Sequence, residues 1–145
     1  MKRIFKTFLS FLIVALAVEV GILIMTKVAK WDNFELGRPF LAAVHVHLMA
    51  MGALFFLIQV VLEKAFSISS AKLYNAFYIV FLTGFSIVIA TMFYKGAAQI
   101  FGFEIIRGIT EGGAAVGHTT TFVSLFLFAA CLYEKAVKKS PEDEK

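Results

Sequence analysis

A single cysteine, Cys131, excludes an internal disulfide and any cysteine-rich metal centre. Charge is scarce as well: only 17% of the residues are Asp, Glu, Lys or Arg, against about a quarter in a soluble domain. Those few are gathered between apolar runs, so the net charge of +4 is not a nucleic-acid signal. No Ser-His-Asp set, phosphate loop or cysteine cluster is present, which leaves hydrolase and nucleotide chemistry without support and names no catalytic residue. There are two prolines: Pro39 suits the first helical turn of the second apolar run, and Pro141 lies in the charged tail. What the chain has instead is hydrophobic residues, 60% of its 145, among them 17 phenylalanines.

That composition is that of a polytopic membrane protein. A hydrocarbon core of about 30 Å needs about 20 helical residues. Four runs satisfy this, at residues 4–27, 39–63, 73–94 and 111–135. The expected fold is all-α, an integral membrane four-helix bundle over residues 1–137 with a charged tail at 138–145. The first run lacks a small-x-small cleavage site and reads as a retained span. Lys2, Arg3, Lys6, Lys64, Lys72, Lys135, Lys138 and Lys139 flank one side, which predicts cytoplasmic N- and C-termini in a multi-pass protein of the plasma membrane. The other side holds two loops. Trp31 and Phe34 suit an interfacial anchor in the first. In the second, Phe101, Phe103, Ile105 and Ile106 are too apolar for a free loop, and a short interfacial helix between helices 3 and 4 is expected.

Four polar groups lie inside the runs. At 1.5 Å per residue, His45 is about 10 Å below Arg38, His47 about 3 Å deeper, His118 about 15 Å below Gly108 and Glu19 about 12 Å below Lys27. All four share one layer of the outer half. An ionisable group at that depth is costly unless paired, neutral or ligating. Histidines from helices 2 and 4 at matching depth suit haem b held from both sides, with copper or zinc as the alternative. His45 and His47 are about 200° apart around a helix, so only one can face His118. His45, which shares a face with Met49 and Gly52, is the favoured partner; His47, beside Met51, would then meet Glu19. Gly52 and Gly117 would suit a flat macrocycle, although close helix packing through small residues is the favoured reading for the glycines taken alone. Met49 and Met51 are candidate soft ligands, or core filler. Thr121 either bonds back to its own helix or supports a ligand. Glu111 is expected to cap the first turn of helix 4, and Arg38, Lys95 and Arg107 to anchor at the surface or pair with propionates.

Three stretches carry a resemblance: Val44-His45-Val46-His47-Leu48-Met49-Ala50-Met51-Gly52, Tyr94-Lys95-Gly96-Ala97-Ala98-Gln99-Ile100 and Gly112-Gly113-Ala114-Ala115-Val116-Gly117-His118. Together they resemble the family of small four-helix bacterial membrane proteins filed as domain of unknown function 2871, over nearly the whole chain. The end of helix 1, Met25-Thr26-Lys27-Val28-Ala29-Lys30, departs from the Arg-Glu-Phe-Thr-Lys-like stretch of that family. A weaker likeness runs to the haem-binding helix of the catalytic subunit of respiratory oxidases and nitric-oxide reductases, and places a haem ligand at His45. Three functions are therefore open: a small b-type cytochrome for electron transfer or gas sensing, a transition-metal or haem-handling protein, and a non-catalytic membrane partner. The partners expected are the lipid bilayer and a redox protein or quinone; a homo-oligomer is open.

Overall fold

The computed structural model describes residues 1–32 and 39–138, and the described residues contain no strand. Four helices are long and apolar enough to cross a membrane: α1 (Lys2–Val28), α2 (Ala42–Phe66), α3 (Tyr74–Phe101) and α4 (Gly108–Val137). At 1.5 Å per residue the shortest, of 25 residues, is about 38 Å long, more than a hydrocarbon core requires. This is a multi-pass membrane protein built as a four-helix bundle. Phe34, Arg38 and tail residues 139–145, for which anchoring, propionate-pairing or solvated roles were expected, lie outside the described residues.

The helices assemble as two hairpins. α1 runs along α2, and α3 runs along α4. Lipid is as apolar as leucine, so close backbone approach and dispersion decide which helices meet. Between α3 and α4 the approach is made by glycines. A Cβ on Gly84 would stand 2.6 Å from the Thr121 amide nitrogen, and one on Gly117 would stand 2.8 Å from Val88 Cγ2. Gly113 and Gly117, four residues apart on α4, form a small-xxx-small ridge against Thr91 and Val88. The hairpins are then joined by aromatic rings. Phe55 lies 5.0 Å from Phe81 and 5.4 Å from Phe128, and Phe11 lies 5.5 Å from Phe85.

Two departures from α-geometry matter. α2 widens into π-helical turns over Leu48–Leu54, directly after the histidines. Such insertions rephase every residue that follows them. The second departure corrects the expected interfacial helix between helices 3 and 4. Its first half is the end of α3, which continues to Phe101 and stops at Gly102 with φ 72°. Residues 103–106 are not helical. Tyr94 explains this: its hydroxyl donates to Glu104 O at 3.3 Å and accepts from the Ile106 amide at 3.4 Å. An extended link is thereby pinned to α3, and Phe103 stacks near the Tyr94 ring at 5.9 Å.

One buried polar contact lies at the opposite end of the bundle. The Tyr74 hydroxyl donates to Gln59 Oε1 at 3.0 Å, and both side chains are fully buried. Gln59 Nε2 has no hydrogen-bond partner among the described residues. Tyr74→Phe would leave the Gln59 oxygen unpaired too and is expected to cost about 1–3 kcal/mol. Adding Gln59→Leu removes both orphans and should restore most of the loss, read as thermal unfolding of the detergent-solubilised variants.

Candidate functional site

His45 and His47 leave α2 on opposite faces, as their two-residue spacing requires. His45 turns to α1. Its Nδ1 is 3.0 Å from Ala15 O and 3.6 Å from Glu19 Oε2. With Glu19, Thr26 and Ala42 it lines a cleft of about 270 Å³ between α1 and α2. His47 turns the other way, with its Nδ1 2.8 Å from Ala43 O, one turn back on its own helix. His118 does the same on α4, with Nδ1 2.7 Å from Ala114 O. Both His47 and His118 line a cavity of about 250 Å³ with Ala43, Thr91, Met92 and Ala114.

The expected pairing of His45 with His118 is therefore corrected: His47 shares the cavity with His118, and His45 meets Glu19. The reason is which face of α2 the first helix occupies. Gly52 lies on the His45 face, and a Cβ there would be 2.8 Å from the Phe11 ring of α1. α1 thus takes the whole His45 side, from Glu19 and Ala15 down to Phe11. The oxidase-like placement of a ligand at His45 does not bring it to His118.

The other residues named from the sequence sort by the same geometry. Gly52 and Gly117 are helix-packing positions against Phe11 and Val88, as the packing reading of the glycines expects. Thr121 bonds back to Gly117 O at 2.8 Å. Met49 is half-buried and packs on the core. Met51 lines a second cavity, about 410 Å³, with His118, Thr119 and Leu125. Cys131 is fully buried.

An imidazole whose Nδ1–H donates to a carbonyl keeps the Nε2 lone pair for a ligand. Such a bond also fixes ring orientation, as it does for metal-bound histidines. Neither His47 nor His118 has a further hydrogen bond among the described residues. The cavity they line is not filled by Phe and Leu side chains. Towards the start of α4 it adjoins a cavity of about 630 Å³ lined by Lys95, Phe103, Arg107, Thr110, Glu111 and Ala114. Lys95, Thr110 and Ala114 border both. No group of three or more His, Cys, Asp or Glu placed to hold a metal occurs among the described residues.

Sequence reasoning placed no inward residue of this site on α3. Yet Thr91 and Met92 form its floor, and the Lys95-Gly96-Ala97-Ala98-Gln99 stretch sets its top. Gln99 Oε1 accepts the Phe40 amide at 2.7 Å, one of the free donors before α2. Gly96 leaves room for Leu41, whose nitrogen would be 2.6 Å from a Cβ there. Lys95 Nζ stands 4.7 Å above the Phe40 ring. Together these contacts clamp the start of α2 to α3 and so fix the depth of His47. The signal was present in that small-residue run ending in glutamine.

The family model described as "Protein of unknown function (DUF2871)" matches residues 1–135. The chain belongs to that family. No curated protein and no solved structure matches it.

Proposed function

We propose that this protein is a b-type haem protein of the plasma membrane, with both termini cytoplasmic, serving one-electron transfer or the sensing of a diatomic gas. The single observation that supports it is the pair His47 and His118: two imidazoles from different spans on one cavity, each held through Nδ1, each with Nε2 unspent. Two imidazoles are half the ligand set of a structural zinc ion, which takes four. They would suffice for haem, whose macrocycle supplies the rest of the ligand set to its iron.

The residues present fit that group. The lining of the cavity includes the small side chains Ala43 and Ala114. The cavity alone, about 250 Å³, falls below the usual range for a ligand site, but it borders two others, sharing Lys95, Thr110 and Ala114 with one and His118 with the other. Lys95 and Arg107 sit where carboxylates of a bound macrocycle would meet water. When bound, haem would supply a reversible one-electron couple. Half-buried His47 and exposed His118 would hold it.

Purification in mild detergent and an absorption spectrum test the reading. The expected result is a Soret band, with sharp α and β bands on reduction. Stoichiometric copper or zinc without haem would favour the transition-metal alternative, for which Met51 and His118 share a cavity. A colourless, metal-free protein after expression with added haem precursor would leave helix-to-helix hydrogen bonding as the role of the histidines.

A further inference from the structure

The second polar pair of the spans stands apart from the His47–His118 cavity. Glu19 and His45 meet on the seam between α1 and α2, and 47% of the Glu19 side chain and 26% of that of His45 stay uncovered. The pair sits about 12 Å inside the Lys27 end of α1, at 1.5 Å per residue. Ionisable groups at such depth turn to one another, to a bundle interior or to water, because hydrocarbon offers them nothing. Here the chain by itself satisfies only half of each group. Glu19 Oε1 and His45 Nε2 have no hydrogen bond among the described residues.

The surface around the pair is apolar and exposed: Leu16, Val20 and Leu23 on α1, and Val46 on α2. α1 is also the least covered span. Of its apolar window 11% is buried, against 33%, 39% and 28% for α2, α3 and α4.

We propose that a second copy of this chain covers the α1–α2 seam in a two-fold dimer, with Glu19 of each copy hydrogen-bonded to the partner's His45. A two-fold contact sets the same patch against itself, so the patch must be self-complementary. A carboxyl beside an imidazole meets that condition. With Nδ1–H bound to Ala15 O, the Nε2 lone pair accepts from a protonated carboxyl; with the imidazole charged, the carboxylate accepts instead. In either state one hydrogen stands between each acid and its base, and each pair is neutral overall. Leu16, Leu23 and Val46 form the apolar rim that keeps the contact dry. A lipid tail has neither donor nor acceptor to offer.

The test uses the full chain in membranes of the expressing cells, with Cys131→Ser as background. Leu23→Cys should give disulfide-linked dimers on mild oxidation. Phe126→Cys, exposed on α4, should not. In detergent, light scattering should find a dimer for the unmodified chain. Glu19→Gln, which still donates and accepts, should keep it. Glu19→Leu should weaken it on the order of tenfold, as the loss of interhelical hydrogen bonds in an apolar setting predicts. A monomeric unmodified chain, equal cross-linking at both positions, or a Glu19→Leu dimer as tight as the unmodified one would overturn the proposal. The cross-linking comparison does not depend on the folding of any Glu19 variant.

Discussion

His47→Ala and His118→Ala, made separately, are each expected to remove the haem spectrum, while His45→Ala keeps it. The asymmetry is the informative part, because His45 and His47 differ by two positions in one helix and bury similar polar groups. An effect of losing any buried imidazole would strike both. The geometry separates them: His45 spends its ring on Ala15 and Glu19, and His47 faces His118 across Ala43 and Ala114. His118→Met is a finer probe. A thioether can replace an imidazole as an axial ligand, and Met/His ligation raises the reduction potential over His/His. The variant should therefore retain pigment with a higher midpoint in a redox titration. Full haem in both His47→Ala and His118→Ala would sink the ligand assignment; loss in His45→Ala and His118→Ala with His47→Ala unaffected would return it to the pairing read from sequence.

The second large effect is steric. Gly84→Ala and Gly117→Ala should each lower stability by about 1–3 kcal/mol, the usual cost of overpacking, and Gly117→Val by more. A Cβ on Gly84 meets the Thr121 amide nitrogen at 2.6 Å, which is backbone and cannot turn aside. On Gly117 it meets Val88 Cγ2 at 2.8 Å and Val88 N at 2.9 Å. Alanine would favour the helix itself by about 1 kcal/mol at an exposed site in water, so the sign rests on the clash. Gly21→Ala is the control, because nothing lies within 4 Å of a Cβ there. It should unfold in detergent at the wild-type temperature or slightly above. If the Gly84 and Gly117 variants matched it, the close α3–α4 approach would be wrong, and with it the floor of the histidine cavity.

The four spans were legible because burying backbone in lipid demands long apolar helices, and the chain shows four such runs separated by charge. The opposed faces of His45 and His47, and the shared level of Glu19 with the histidines, followed from helical rise and twist alone. Which face meets which helix could not follow. In a soluble helix a polar stripe marks the outside. Here the side of α1 and α2 turned away from the bundle is as apolar as the packed side, as Leu16, Val20 and Val46 illustrate. Tertiary contacts made that choice: Phe11 seated on Gly52, Ala15 under His45, and Gln99 capping the approach to α2. The hold of Tyr94 on residues 104 and 106, ten and twelve positions on, was not read from the sequence either. The order of residues thus determined how many spans there are and how deep each polar group lies. The packed bundle alone decided that His47, not His45, looks towards His118, because between helices apolar on every side only the fit of glycines and rings distinguishes one face from another.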